Sequence, residues 1–202
     1  MPVDELLVHD ARRGDRTAFD RLQRKIEPRV RRFIRRLIGT NGAAESIVQD
    51  TFLALYVKIE RIESVEHLWS FVFRVVRHLC YDELRRQGRW NVVAINHGGD
   101  RSENDRVLQD RAPAVDTAAH WSLGYAKIRE AIDLLPEVQR QTIILRFEED
   151  LSYEQVAEAM DVDIGTVKSR IHNARKSLRS LVGPEWLRAM GIGKENTDGG
   201  NR

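Results

Sequence analysis

Apolar side chains return every three or four positions from residue 5 to about residue 87 and again from 122 to 182, as on helices that each bury one face. Leu6, Leu7 and Ala11 predict a short first helix, stopped at Gly14. Asp15 is placed to cap a second, with Phe19, Leu22, Ile26, Val30, Phe33, Ile34, Leu37 and Ile38 inward. Pro28 should kink it, because proline lacks a backbone donor and crowds the preceding turn. After Gly39 and Gly42, a third helix should run from about Ala43 to Arg61. It buries Ile47, Val48, Phe52, Leu55, Tyr56 and Ile59 and shows Glu45, Gln49, Asp50 and Lys58. Ser64 can cap a fourth, with Leu68, Val72, Val75, Val76 and Leu79 on one side. Nothing in this block alternates like a strand, so it is expected to be an all-α bundle.

Between Gly88 and Leu123 the periodicity collapses into Gly98-Gly99, a polar run from Asp100 to Arg106, and Pro113. So long a structureless connection does not fit inside one compact domain and is expected to be a flexible interdomain linker. Val92–Ile95 and Val107-Leu108 are its two apolar clusters able to dock elsewhere. From Ser122, Tyr125, Ile128, Ala131, Ile132 and Leu135 define a helix ended by Pro136, and Val138, Ile143, Ile144 and Phe147 the next. Ser152 and Gln155 have capping-box spacing and open a short helix through Met160. A turn at Asp161-Val162-Asp163 leads to a final helix through Val167, Ile171, Ala174 and Leu178. Short helix, tight turn and basic helix make a helix-turn-helix. The expected organisation is therefore all-α, with helical domains at 1–90 and 122–182, a linker at 91–121, and a tail at 183–202. In the tail, Trp186, Leu187 and Met190 could form a short amphipathic turn.

Charge sharpens this picture. The formal net charge is +2, yet residues 1–90 alone carry +5. In the last helix Lys168, Arg170, Arg175, Lys176 and Arg179 follow Asp163 with no acid until Glu185. Such a face is either a solvated helix surface or one that meets phosphate, and the surrounding helix-turn-helix pattern favours DNA. The fourth helix is aromatic early (Trp69, Phe71, Phe73) and basic late (Arg74, Arg77, Arg85, Arg86, Arg89). Rings that stack bases and guanidiniums that hold a backbone suit single-stranded nucleic acid, although the rings also suit a core.

Other chemistry is thin. A single cysteine, Cys80, excludes an internal disulfide and any multi-cysteine zinc site, and sits as buried filler. The six histidines lack ligand spacing, and neither HExxH nor GxxxxGK[ST] occurs, so no cofactor or metal is expected and an enzyme is disfavoured. No apolar run is long enough to span a bilayer and no signal peptide opens the chain, so a soluble protein of a reducing compartment, without membrane insertion, is expected.

Residues 44–52, AESIVQDTF, resemble the polymerase-binding helix of bacterial extracytoplasmic-function (ECF) sigma factors. Residues 71–86, FVFRVVRHLCYDELRR, resemble their promoter-melting helix. Leu135–Arg140, Leu145–Phe147, Leu151–Tyr153 and Gly165–Arg175 resemble their C-terminal DNA-binding region. The likeness spans residues 5–90 and 122–182 in the right order.

The resemblance implies a cytoplasmic initiation subunit that binds core RNA polymerase and promoter DNA and is often restrained by an anti-sigma factor. It implies polymerase contacts at Glu45, Gln49 and Asp50. It places Arg77, His78, Asp82, Arg85 and Arg86 near the melted −10 element, with the 61–67 loop helping to select a flipped base. It and the helix geometry assign Lys168, Ser169, His172 and Asn173 to base edges of the −35 element, with Arg170, Arg175 and Lys176 on phosphates.

Four positions depart from the family pattern: Ser46 for an aspartate, Phe71 for a tryptophan, His78 for an asparagine, and Asp161 for the turn glycine. Aspartate enters the left-handed region at modest cost, so the turn should survive. A helix-turn-helix regulator without polymerase affinity would explain residues 122–182 but leave the motifs of 5–90 unused.

Overall fold

The structure, a computed structural model, describes residues 3–39, 42–88, 117–183, 187, 188 and 192, with only the backbone of 117–123. Among these residues there are eight α-helices and no strand. The expected linker lies outside the described residues up to 116, as do both of its apolar clusters.

Helices α1 (Glu5–Arg12), α2 (Arg16–Ile38), α3 (Ala44–Lys58) and α4 (Val65–Arg86) form one compact unit. The two helix starts that the sequence marks in this unit, at Asp15 and Ser64, are capped. Asp15 Oδ1 accepts from Thr17 N at 2.8 Å and Ala18 N at 3.1 Å, and Ser64 Oγ accepts from His67 N at 3.1 Å. Asp4 Oδ1 caps α1 through Leu7 N at 2.8 Å, and that backbone bond, chiefly, holds its carboxyl below the usual range. Gly14 adopts φ +88° between α1 and α2, a conformation open to residues without a Cβ.

All eight residues of the α2 stripe are buried. α2 packs on α3 and α4, whose Leu55, Leu68, Val72, Phe73 and Val76 are fully buried. Phe33 and Phe73 pack edge to face, ring centroids 4.8 Å apart at 71°. Burying each such side chain contributes about 1.5–3 kcal/mol.

Some expected inward positions face out. Leu6 is 69% exposed and Val8 is buried in its place, because α1 turns Leu7, Val8 and Ala11 onto α2. Tyr56, 49% exposed, follows the buried Leu55 and lays its ring edge-on against Phe19 at 5.1 Å. Val75 and Leu79 are half-buried at the stripe's edge. The third helix ends at Lys58, and Ile59–Arg61 tighten into a 3₁₀ turn. α2 runs on through Pro28, which lies on its exposed side.

Helices α5 (Thr117–Asp133), α6 (Glu137–Ile143) and α8 (Ile164–Val182) belong to the second unit. α5 starts at Thr117, ahead of the expected Ser122. Its inward residues Ile128, Ala131 and Ile132 are buried, whereas Tyr125 is 53% exposed. α6 does not continue to Phe147. It passes into a π turn at Ile144–Glu148, closed by Glu149 N donating to Ile144 O at 2.9 Å. The wider turn buries Ile144 and Leu145 side by side. Val167, Ile171, Ala174 and Leu178 form the buried stripe of α8.

Helix α7 (Tyr153–Met160) precedes a turn in which Asp161 has φ +55° and Val162 N donates to Ala157 O at 3.0 Å. Residues 154–163 group by their contacts with α1–α4. In the tail, Leu187 and Ile192 are buried, while Trp186 and Met190 lie outside the described residues.

Candidate functional site

Three helices carry the side chains singled out by the sequence. On α3, the buried stripe of Ile47, Val48, Thr51, Phe52 and Leu55 turns Glu45, Gln49 and Asp50 outward. Glu45 is already engaged: its two carboxylate oxygens accept from the Arg31 guanidinium at 2.6 and 2.9 Å. Arg31 also donates to Glu27 Oε1 at 2.7 Å. The Arg31 bonds hold the Glu45 carboxyl below its usual range and push Arg31 further up. Glu45 thus ties α3 to α2, while Gln49 and Asp50 remain exposed.

The sequence reading missed Leu53 and Val57, 62% and 66% exposed. They stand four and eight residues after Gln49, on one helix face beside it. The signal was present: both fall out of phase with the buried stripe. Exposed aliphatic residues beside polar ones suit a protein contact.

On α4 the three rings divide. Phe73 is fully buried, as the core alternative required, while Trp69 and Phe71 are half-buried. Trp69 stacks on Phe73 at 5.6 Å and 22°. Arg77, His78, Asp82, Arg85 and Arg86 occupy the second half of the helix. His78, Asp82, Arg85 and Arg86 are exposed, and Arg77 is half-buried.

Arg77 packs over the Tyr81 ring at 5.3 Å, and its guanidinium donates to Ala159 O and Met160 O, each at 3.2 Å. Those bonds engage Nε and one terminal nitrogen of the guanidinium. Arg86 is paired with Glu83, and Arg85 stands 3.9 Å from Asp82. Partial burial lowers the His78 pKa, Arg77 and Arg74 lower it further, and Asp82 and Asp161 oppose them. His78 therefore favours its neutral form.

On α8, Lys168, Ser169, His172 and Asn173 are all exposed, on the side away from the buried stripe. Ser169 Oγ donates to Thr166 O at 3.3 Å. Lys176 is exposed and Arg170 half-buried. Arg175 departs from a simple solvated cation: its guanidinium lies 5.5 Å over the Phe147 ring, and its Nε is buried without a hydrogen-bond partner. Arg146 covers the same ring at 5.5 Å and donates to Leu151 O at 3.2 Å.

No cluster of three or more His, Cys, Asp or Glu able to hold a metal occurs among the described residues. No helix there is long and apolar enough to cross a membrane.

The chain matches the family described as Sigma-70 region 2 over residues 22–89 and that described as Sigma-70, region 4 over residues 125–178. It is 32% identical over 187 residues to the ECF RNA polymerase sigma factor SigE of Mycolicibacterium smegmatis, covering 90% of this chain and 70% of that one. It is 28% identical over 194 residues to the ECF RNA polymerase sigma-E factor of Haemophilus influenzae, covering 90% and 96%. Among solved structures, the sigma factor RpoE of Bartonella quintana, crystallised with the anti-sigma factor NepR, is similar with a TM-score of 0.55 and 28% identity. That match covers 81% of this chain and 95% of that one.

Proposed function

The chain belongs to the ECF sigma factors, which direct promoter-specific transcription initiation by RNA polymerase, and from that premise we propose how its surfaces divide the work. Residues 1–90 are the domain that binds polymerase and opens the −10 element, and residues 122–182 the domain that reads the −35 element, with the catalysis left to the polymerase. The work takes place in the cytoplasm, where core polymerase and DNA are.

The observation that carries this reading is the phase of α8. Its stripe at Val167, Ile171, Ala174 and Leu178 leaves Lys168, Ser169, His172 and Asn173 exposed towards its N-terminal half. That is the part of a recognition helix that reaches base edges in the major groove. Arg170, Arg175 and Lys176 flank them and reach for phosphates.

Gln49, Asp50, Leu53 and Val57 form the polymerase contact, bordered by the exposed Glu45 that Arg31 holds. A mixed polar and aliphatic helix face suits a protein surface better than DNA, which would repel the carboxylates. On α4, Arg77, His78, Asp82, Arg85 and Arg86 lie along the melted strand, and the 61–67 loop helps to select a flipped base.

An anti-sigma factor is a further partner, as the related RpoE is held by one. The test is assembly with core polymerase: the double variant Gln49→Ala/Asp50→Ala should bind core about tenfold or more weakly with unchanged helicity and melting. Unaltered affinity for core would reject the α3 assignment.

A further inference from the structure

Between α6 and α8 two rings and two guanidiniums come together. The π turn at Ile144–Glu148 carries Arg146 and Phe147, both half-buried. The Arg146 guanidinium lies 5.5 Å from the Tyr153 ring and 5.5 Å from that of Phe147. It donates to Leu151 O at 3.2 Å and stands 3.5 Å from the carboxylate of Asp150, whose side chain is exposed. Arg175 of α8 lies 5.5 Å over the same Phe147 ring. Among the described residues Arg175 has that ring contact and neither a hydrogen bond nor an ion pair, and its Nε is buried.

A half-buried guanidinium without an acceptor costs stability until an anion uses its donors. A ring engages the planar face of an arginine and leaves the N–H edge for such an acceptor. Apolar burial alone would be served as well by leucine at position 147, and would not gather two cations on one ring. A freely rotating arginine must be ordered when a phosphate fixes it, so a surface that orders it beforehand strengthens binding. Arg146, bonded to Leu151 O and packed on Tyr153, fixes the turn that carries the ring. We propose that Phe147 is a positioning residue for promoter binding: its ring holds Arg175 ready to meet a phosphate beside the −35 element. The inference rests on the reading of Arg175 as a phosphate contact.

The test is a double-variant cycle on duplex carrying the −35 element, with holoenzyme assembled from the full chain and core polymerase. Phe147→Leu keeps an apolar side chain but loses the ring, and should weaken binding roughly 2- to 12-fold on every sequence, the cost of ordering one long side chain. Phe147→Tyr keeps the ring and should bind as the unaltered chain does. With Arg175→Ala already in place, Phe147→Leu should have no further effect. A loss of the same size in both backgrounds would make the ring a merely structural element and overturn the proposal. Normal binding by Phe147→Leu, with Arg175→Ala weakened, would overturn it and leave the phosphate reading standing. Normal affinity and salt dependence for Arg175→Ala would overturn both. A second readout needs no variant of the ring: the Nε–H signal of Arg175 in the nuclear magnetic resonance spectrum of the free chain, identified by its loss in Arg175→Ala. It should be displaced by the ring current and as ordered as the backbone; a mobile signal at the ordinary arginine position would overturn the proposal.

Discussion

Arg175 and Asn173 lie two residues apart on α8, and the structure forecasts different consequences for replacing them. Asn173 is exposed, so Asn173→Ala should remove only the base-edge contact proposed for it. That should cost about 1–3 kcal/mol on the preferred −35 sequence, roughly 5- to 150-fold in affinity, and relax discrimination at one base pair. The salt dependence and the melting temperature should stay put.

Arg175 is half-buried with its guanidinium over Phe147. On the proposed reading, Arg175→Ala loses the proposed phosphate contact together with a packed side chain. The first lowers the slope of log affinity against log salt by about 0.9, equally on all sequences. The second removes a cation–π contact and an apolar stem worth about 0.5–2 kcal/mol of stability, a fall of a few degrees in melting temperature. Lys176→Ala, at an exposed position, should show the salt effect without the melting effect.

The assay is fluorescence anisotropy of holoenzyme on duplexes carrying the −35 element that it selects from random sequence, titrated with salt, beside calorimetry of the free chain. If Arg175→Ala changed base preference while Asn173→Ala did not, the division of labour would be wrong. If Arg175→Ala left the melting temperature unmoved, the Phe147 packing would not be a stabilising contact.

Two further outcomes follow from the first unit. Phe73 is fully buried between Phe33 and Trp69, so Phe73→Ala should destabilise the chain by about 3–5 kcal/mol, measured by urea unfolding; a loss under 1 kcal/mol would contradict the packing described. His78 has a lowered pKa in the fold, so the unfolded chain binds its proton more readily, and stability should fall as pH drops below the ordinary histidine value of 6.5. His78→Gln should blunt that part of the acid sensitivity, and an identical pH profile would refute it.

Local periodicity was sufficient wherever a helix buries one continuous stripe. The α2 stripe, the exposed side of α8 and the caps at Asp15 and Ser64 were legible because each depends on neighbours within four residues. Asp161 kept the turn because an aspartate tolerates φ +55°. Leu6, Tyr56 and Tyr125 were misplaced because an apolar residue at the edge of a stripe faces in or out according to what packs beside it.

The π turn was invisible for a related reason: burying Ile144 and Leu145 together needs an extra residue that a strict helical period cannot supply. Pairings distant in sequence left no local trace. Arg31 holds Glu45 from 14 residues away, and Arg77 reaches Ala159 O across 82. The same limit hid the contact of the Arg29 guanidinium of α2 with the Trp69 ring of α4.

The most direct measurement of the central claim is run-off transcription by purified core polymerase, with and without this chain, on fragments of the source genome. The account predicts discrete start sites that appear only with the chain and share two spaced upstream elements, and that shift in sequence when Asn173 is replaced. Transcription indistinguishable from core polymerase alone, on fragments that include the chain's native promoters, would contradict it.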